Sequence, residues 1–298
     1  MMHIKNVLVP VDFSPPSRLA VNYGICLART FRARLTLMHV VESPKALRDS
    51  AGNGSAQVEK QYREQAERML AALLGPEDQD DLDFSIVLKS GGIEAEIIAA
   101  ASEQGADMLV MGTHGRGLFG RLLIGSVTQN LLRKAAIPIL TICHVTRPLA
   151  LERILFAAGL SETSKHGLDF AINLARQTHS KLVFLHATER ATLAYGGNEM
   201  VCSVTQEDAE EARAKLAALA AESTGQGVQA ETILVEGDAA QEIIKGAEDA
   251  NAGLILITVQ FRGLVERTLL GTTAERLIRE ARVPVLSIPV NPTGRTYK

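Results

Sequence analysis

An internal repeat covers half of the chain and constrains its fold more than any other feature. When the 298-residue sequence is shifted by 147 positions, residues 5–43 align without a gap on residues 152–190, and ten of the 39 aligned positions are identical. Further blocks align at a shift of 146. A period of this length is far too long for a solenoid. We therefore predict two domains, residues 1–147 and 148–298, each with its own hydrophobic core.

Within each copy, short apolar runs alternate with longer stretches at helical spacing, which is typical of buried parallel strands joined by helices. In the first copy, we predict strands over residues 4–11, 34–41, 82–88, 108–112 and 137–143, and helices over residues 17–31, 57–74, 93–103 and 127–134. In the second copy, we predict strands near residues 154–158, 181–187, 229–235, 254–259 and 284–289. The pattern predicts an α/β fold of two tandem five-stranded parallel-sheet α/β sandwich domains. Right-handed crossovers then place a ligand crevice at the carboxyl ends of the strands, where the strand order reverses.

Charge and cysteine content limit the partners and the compartment. The 31 basic and 34 acidic residues give a formal net charge of −3 without long blocks of one sign, so we expect neither nucleic acid nor an anionic membrane as a partner. The start of the chain has no apolar run that would suit a signal peptide, and no run approaches the roughly 20 residues of a membrane span. Cys26, Cys143 and Cys202 are widely spaced, which favours neither a disulfide framework nor a metal site. We expect a reduced, cytoplasmic protein.

Two residues at the predicted strand ends are candidates for ligand contacts. Asp12 closes the first strand, where a carboxylate could accept hydrogen bonds from ribose hydroxyls or an adenine amino group. The alternative is that Asp12 is a turn or N-cap residue ahead of the following helix. Val40 ends the second strand beside His39 and could present apolar surface to a base. By itself, Val40 indicates only a buried strand.

A glycine-rich segment, residues 112–126, follows the fourth predicted strand and carries five glycines. Glycines let backbone N–H groups approach an oxyanion, and Gly125 with Ser126 opens a helix whose N-terminus favours negative charge. The Ser126 hydroxyl, the Arg116 guanidinium and the His114 ring can add donors. The alternative is an ordinary flexible loop with a Gly/Ser cap. Because so many glycines cost chain entropy in a mere connection, we favour phosphate binding.

The spacing of this segment resembles the nucleotide-binding motif of the universal stress protein family: Gly112, two residues, Gly115, nine residues, then Gly125-Ser126. Residues 9–14 and 39–40 resemble that family's signatures at the first and second strands. The resemblance covers essentially the whole chain, in the tandem two-domain form. It implies a Rossmann-like fold of the adenine-nucleotide alpha-hydrolase-like type.

The resemblance also implies a ligand and contacts with it. Asp12 and Val40 would contact adenosine, and Gly112, Gly115, Gly125 and Ser126 would bind the phosphates of ATP. Whether a divalent cation accompanies the phosphates stays open. The family pairs the apolar last strand of one domain with that of another, which would otherwise be an exposed sheet edge. We therefore expect an intramolecular pseudo-dimer of the two domains and, in addition, a homodimer of chains.

The second copy departs from this motif. Gly159, Ala187, Thr258 and Phe261 stand where the first copy has Asp12, Val40, Gly112 and Gly115. These replacements remove the carboxylate and put side chains where backbone would approach a phosphate. Of the motif, Gly271-Thr272 alone remains. We expect the second domain to be degenerate as a nucleotide site and to have a structural or partner-binding role.

Together, these features favour an ATP-binding stress-response regulator or sensor with nucleotide in the first domain. The first alternative is a nucleotide-independent adaptor or scaffold, and the second is a slow ATP hydrolase. The sequence shows no evident general base beside the glycine-rich segment, which counts against an enzyme.

Overall fold

The chain divides into two compact units, His3–Cys143 and His144–Lys298, in the computed structural model. The structure describes residues 3–41, 53–113, 124–143, 149–160, 162–188, 191–195, 198–202, 205–260 and 270–290. The predicted domain boundary, between residues 147 and 148, lies outside these ranges and stays a prediction.

Five parallel strands form the sheet of the first unit. They are β1 (Asn6–Pro10), β2 (Arg34–Val41), β3 (Phe84–Ser90), β4 (Met108–Gly112) and β5 (Ile139–Ile142), in the spatial order β3-β2-β1-β4-β5. The helices are α1 (Pro15–Phe31), α2 (Asn53–Ala71), α3 (Pro76–Asp81), α4 (Ile93–Glu103) and α5 (Ser126–Lys134). The short helix α3 was not predicted; it begins with Pro76, and the Asp78 carboxylate accepts the N–H of Gly75 at 3.0 Å.

The second unit repeats this sheet. Its parallel strands are β6 (Arg153–Ala157), β7 (Lys181–Thr188), β10 (Ala230–Glu236), β11 (Leu254–Gln260) and β12 (Val285–Val290), in the order β10-β7-β6-β11-β12. Its helices are α6 (Glu162–Thr178), α7 (Gln206–Gly225), α8 (Ala239–Asp249) and α9 (Thr272–Glu280). An antiparallel pair, β8 (Ala191–Tyr195) and β9 (Asn198–Cys202), was not predicted. Among the described helices, none is long and apolar enough to cross a membrane.

Helices pack closely on these sheets, which explains why the strands are continuous apolar runs. Val7, Leu8 and Val9 of β1 are fully buried. Helix α1 approaches β1 so closely that a Cβ on Gly24 would lie 2.6 Å from Cγ2 of Val9. Ser14 caps the start of α1, because its side chain accepts a hydrogen bond from the N–H of Ser17. The predicted fold class, two tandem α/β domains with five-stranded parallel sheets, is confirmed.

Candidate functional site

The strand order of the first unit reverses between β1 and β4, since β2 and β3 follow β1 on one side and β5 follows β4 on the other. In open parallel sheets, ligands bind at such a reversal, outside the carboxyl ends of the strands. Asp12 follows β1 at this edge, Val40 is the next-to-last residue of β2, and Gly112 is the last residue of β4. Gly125 lies beside them, because its N–H donates to the carbonyl of Thr113 at 2.7 Å. The fold therefore brings four of the predicted residues to one edge.

Asp12 lies in a tight turn between β1 and α1. The turn passes through Phe13, which has a left-handed φ of 64°. Oδ1 of Asp12 accepts hydrogen bonds from the N–H of Ser14 at 3.0 Å and from its hydroxyl at 2.5 Å. The N-cap of α1 is Ser14 rather than Asp12, so of the two structural alternatives the turn residue is the one observed. A carboxylate has about four acceptor positions, and it can therefore take ligand donors in addition to those of Ser14.

His39 holds the end of β1, and its role was missed in the sequence. Its Nδ1 lies 2.6 Å from the carbonyl oxygen of Val11. Because a carbonyl can only accept, Nδ1 carries the proton and donates. The ring packs against Phe13 with centroids 4.8 Å apart. The neighbouring Val40 is buried, with 8% of its surface exposed. The available signal for His39 was its identity with His186 in the repeat.

Gly112 is a glycine for a reason that the sequence did not reveal. A Cβ on Gly112 would lie 2.6 Å from Cβ of Pro16 and 2.8 and 2.9 Å from its carbonyl carbon and oxygen. The Gly112 carbonyl accepts a hydrogen bond from Oγ1 of Thr128, in the first turn of α5, at 3.2 Å. The end of β4 is therefore in close contact with the first turns of both α1 and α5.

Helix α5 begins at this edge with the polarity that suits an anion. Its N-cap is Gly125, which has no side chain to cap the first turn. The first N–H groups of a helix have no acceptor within the helix and carry partial positive charge. The first turn of α5 contains no acidic residue, and its last turn contains Arg133 and Lys134. The exposed Ser126 adds a hydroxyl at this end. Since the N–H of Gly125 is bonded to Thr113, the donors for a phosphate are those of the following residues.

Three predicted phosphate contacts, His114, Gly115 and Arg116, lie outside the described residues, so their roles stay predictions. Among the described residues, no group of three or more histidine, cysteine, aspartate or glutamate side chains could hold a metal ion. Cys143 lies beside Thr113; burial raises the pKa of its thiol, and a hydrogen bond with Thr113 partly offsets the rise.

The corresponding edge of the second unit repeats the backbone turn but lacks the carboxylate of Asp12. Leu160 repeats the left-handed turn with a φ of 51°, and Nδ1 of His186 bonds to the Ala158 carbonyl at 2.7 Å. The exposed Gly159 replaces the carboxylate of Asp12. The N-cap of α9 is Gly271, which corresponds to Gly125, the N-cap of α5. The first turn of α9 contains Glu275, however, whose charge opposes a bound anion.

The comparisons with known proteins agree on one family. The universal stress protein family model matches the chain twice, over residues 3–142 and 150–289. A universal stress protein from Mycolicibacterium smegmatis is 27% identical over 293 residues, which cover 95% of this chain and 96% of that protein. The crystal structure of a universal stress protein from Archaeoglobus fulgidus DSM 4304 superposes with a TM-score of 0.71 and 20% identity, covering 96% of each chain. At that identity the superposition shows the fold.

One of the solved relatives was determined with a bound nucleotide. A universal stress protein from Archaeoglobus fulgidus is known in complex with dAMP; it covers 47% of this chain and 98% of its own, with 20% identity and a TM-score of 0.35. What identifies the present chain is the double match of the family model, together with a relative that spans both halves. The chain belongs to the universal stress protein family and carries two copies of its domain in tandem.

Proposed function

We propose that this protein is a stress-response regulator whose first domain binds ATP and whose nucleotide state alters its contacts with partners. The observation that carries the proposal is the start of α5 at the strand-order reversal: a helix N-terminus without a side-chain cap or an acidic residue, tied to the end of β4. Helix N-termini in this position bind phosphate groups in many α/β folds.

At the phosphate end, the N–H groups and the hydroxyl in the first turn of α5 supply donors, with Ser126 as the exposed residue. Gly115, Arg116 and His114 would add further donors from the glycine-rich segment. Hydrogen bonds to a charged phosphate are worth roughly 1.5–3 kcal/mol each. The donor set is that of an anion site, and it fits a phosphate chain.

At the nucleoside end, Asp12 provides an acceptor and Val40 an apolar surface on the neighbouring strand. Ribose hydroxyls and the adenine amino group are donors, so a carboxylate is complementary to them. ATP requires both ends at once, and both lie at the same edge of the sheet in this domain. The dAMP-bound relative is only 20% identical to this chain, so the support comes from these residues.

The second domain lacks the carboxylate at the nucleoside end and has an acidic residue at the start of its helix, which favours a different role. Gly159 has no side-chain acceptor, and Glu275 in the first turn of α9 repels a phosphate. We propose that this domain is structural or binds a partner. The expected pairing of the two domains and the homodimer remain predictions, and light scattering at micromolar concentration tests the homodimer.

The proposal is tested by purifying the protein without added nucleotide, denaturing it, and identifying the released small molecules by chromatography and mass spectrometry. We expect an adenine nucleotide, or binding of added ATP if the site was emptied during purification. The variant Asp12→Gly is the control and should release less. If the wild-type protein releases no nucleotide and does not bind added ATP, the proposal is overturned and the nucleotide-independent adaptor is the alternative to test next.

A further inference from the structure

The role of Gly112 follows from what surrounds the space where its side chain would be. The three nearest atoms to a Cβ there all belong to Pro16, and two of them are backbone atoms, 2.8 and 2.9 Å away. Truncating the Pro16 side chain would therefore not make room. Any side chain at position 112 requires the backbone of β4 or that of α1 to move.

The end of β4 is held by hydrogen bonds on both sides, so we expect it to move less than the start of α1. Gly112 pairs with Ile142 of β5, and the next N–H, that of Thr113, donates to the Ile142 carbonyl at 3.1 Å. On its other side, the Gly112 carbonyl is held by the Thr128 hydroxyl. The body of α1 is also fixed, since Gly24 is in close contact with Val9. The displacement would fall on the first turn of α1.

That first turn directly follows Ser14, which forms hydrogen bonds with Asp12. Pro15 and Pro16 are its first two residues, and Ser14 is the N-cap immediately before them. Both hydrogen bonds that Ser14 makes to Asp12 end on the same carboxylate oxygen, Oδ1. Ser14 is only 6% exposed, so its side chain has little room to reorient and keep both bonds if the neighbouring turn moves. A shift of the first turn therefore moves the carboxylate.

The second domain has a related close approach between its first helix and the strand β11, at a different position along the helix. Thr258 stands at the position of Gly112, and its methyl Cγ2 would lie 2.3 Å from a Cβ on Gly167 of α6. Gly167 aligns with Ala20 of α1. Here the glycine lies on the helix, four positions further along than the residue aligned with Pro16, and the strand carries a side chain. In this domain the carboxylate is absent, because Gly159 replaces Asp12, and the strand position aligned with Gly112 is not a glycine.

We infer that Gly112 is a positioning residue for the nucleoside end of the site: it seats the first turn of α1, and Ser14 thereby holds Asp12 in place. The inference rests on the proposed function and assigns this glycine to Asp12 rather than to the phosphates.

The test compares three probes, ATP, adenosine and inorganic tripolyphosphate, by titration of the full chain. Gly112→Ala should weaken ATP and adenosine by the same factor, about tenfold, the equivalent of one hydrogen bond to a charged group, and leave tripolyphosphate unchanged. Ser126→Ala is the opposite control and should weaken ATP and tripolyphosphate but not adenosine. In an Asp12→Gly background, Gly112→Ala should add less than about twofold, because the group it positions is gone.

A second pair of variants covers the case in which thermal unfolding shows that Gly112→Ala does not fold. Ser14→Ala removes the hydroxyl that holds Asp12 and should weaken adenosine and ATP but not tripolyphosphate, whereas Ser14→Thr keeps the hydroxyl and should restore both. The inference is overturned if Gly112→Ala or Ser14→Ala weakens tripolyphosphate and spares adenosine, or if either effect persists in full without Asp12. If the wild-type chain binds neither ATP nor adenosine, the proposed function fails first and the inference fails with it.

Discussion

The two domains share backbone detail but differ in chemistry at one edge. Left-handed residues recur at equivalent positions, Arg32 with a φ of 51° and His179 with a φ of 54°, each just after the first helix of its domain. Gly91 and Gly237 recur with φ values of 153° and 156°. These turns and the strand order of the parallel sheet are therefore the same in both copies. What distinguishes the domains is a small set of side chains at the carboxyl edge of the sheet.

Two of these differences became visible only in the structure. Thr128 of α5 donates to the Gly112 carbonyl, and the residue at its position in α9 is Ala274, which has no hydroxyl. The first turn of α9 contains Glu275, whereas that of α5 contains no acidic residue. In the first domain, the Thr128 hydrogen bond links the helix start to the end of β4, and no acidic residue there opposes an anion. The second domain has neither feature, since Ala274 has no hydroxyl and Glu275 is acidic.

The largest effect should come from copying the second domain's aromatic residue into the first. Gly115→Phe introduces the side chain found at Phe261, which would occupy the space through which backbone approaches phosphate. We expect ATP binding to be abolished while the thermal unfolding temperature stays close to that of the wild type. Calorimetric titration measures the binding. Unchanged affinity would show that the glycine-rich segment is not the site.

A second variant removes the carboxylate. Asp12→Gly copies Gly159 and should weaken ATP by about ten- to hundredfold, because a hydrogen bond to a charged group is worth roughly 1.5–3 kcal/mol. The matched control is Gly159→Asp, which should not create a second site while Thr258 and Phe261 remain. If Asp12→Gly binds ATP as tightly as the wild type, the carboxylate is a turn residue only.

A third variant loosens the contact between α5 and β4. Thr128→Ala copies Ala274 and removes the hydrogen bond to the Gly112 carbonyl, so ATP affinity should fall by roughly two- to tenfold, the value of one ordinary hydrogen bond. Thr128→Ser keeps the hydroxyl and should retain most of the affinity. Equal affinities for the alanine and serine variants would contradict a role for this contact.

The smallest effect is on the free energy of unfolding at acid pH, where a helix cap of the second domain titrates and its equivalent in the first domain does not. Asp238 caps α8, and the Gln241 N–H, followed by the Arg276 side chain, holds its pKa below the usual value. The equivalent cap in the first domain is Gly92. Because the folded pKa is lowered, the stabilisation by Asp238 is complete above the unfolded pKa and is lost as the pH falls through the folded one.

Urea unfolding of the full chain measures this effect. Asp238→Asn should be less stable than the wild type at pH 6, and the difference should shrink as the pH falls below about 3.9, the ordinary pKa of an aspartate, and through the lower pKa of the folded state. A difference that stays constant with pH would show that the charge of Asp238 is irrelevant.

The fold could be predicted from the sequence because its signals are local or repeated. Buried strands such as β1 and β4 are continuous apolar runs, whereas α1 begins at Pro15, two residues before its predicted start. The pair β8 and β9 escaped because it forms no part of the parallel sheet whose repeated pattern guided the prediction. Helix α3 escaped because six mostly acidic residues show no apolar periodicity.

The site was only partly predictable, because several of its contacts join residues that are distant in sequence. Gly112 was recognised as part of a motif, but its contact with Pro16 spans 96 positions and has no local signature. The bond from Thr128 to Gly112 is equally invisible in the sequence. The bond between Asp12 and Ser14 was easier to predict, since an aspartate side chain commonly accepts the N–H of the residue two positions later.

The measurement that tests the difference between the domains most directly is the stoichiometry of ATP binding to the full chain. Calorimetric titration of the wild type should give one ATP per chain, and Asp12→Gly should weaken that single site. The second domain should be weaker by at least about two orders of magnitude, since it lacks the acceptor and the open backbone together. Two equivalent sites per chain, or a crystal structure with nucleotide beside Gly271 and none beside Gly125, would contradict the account.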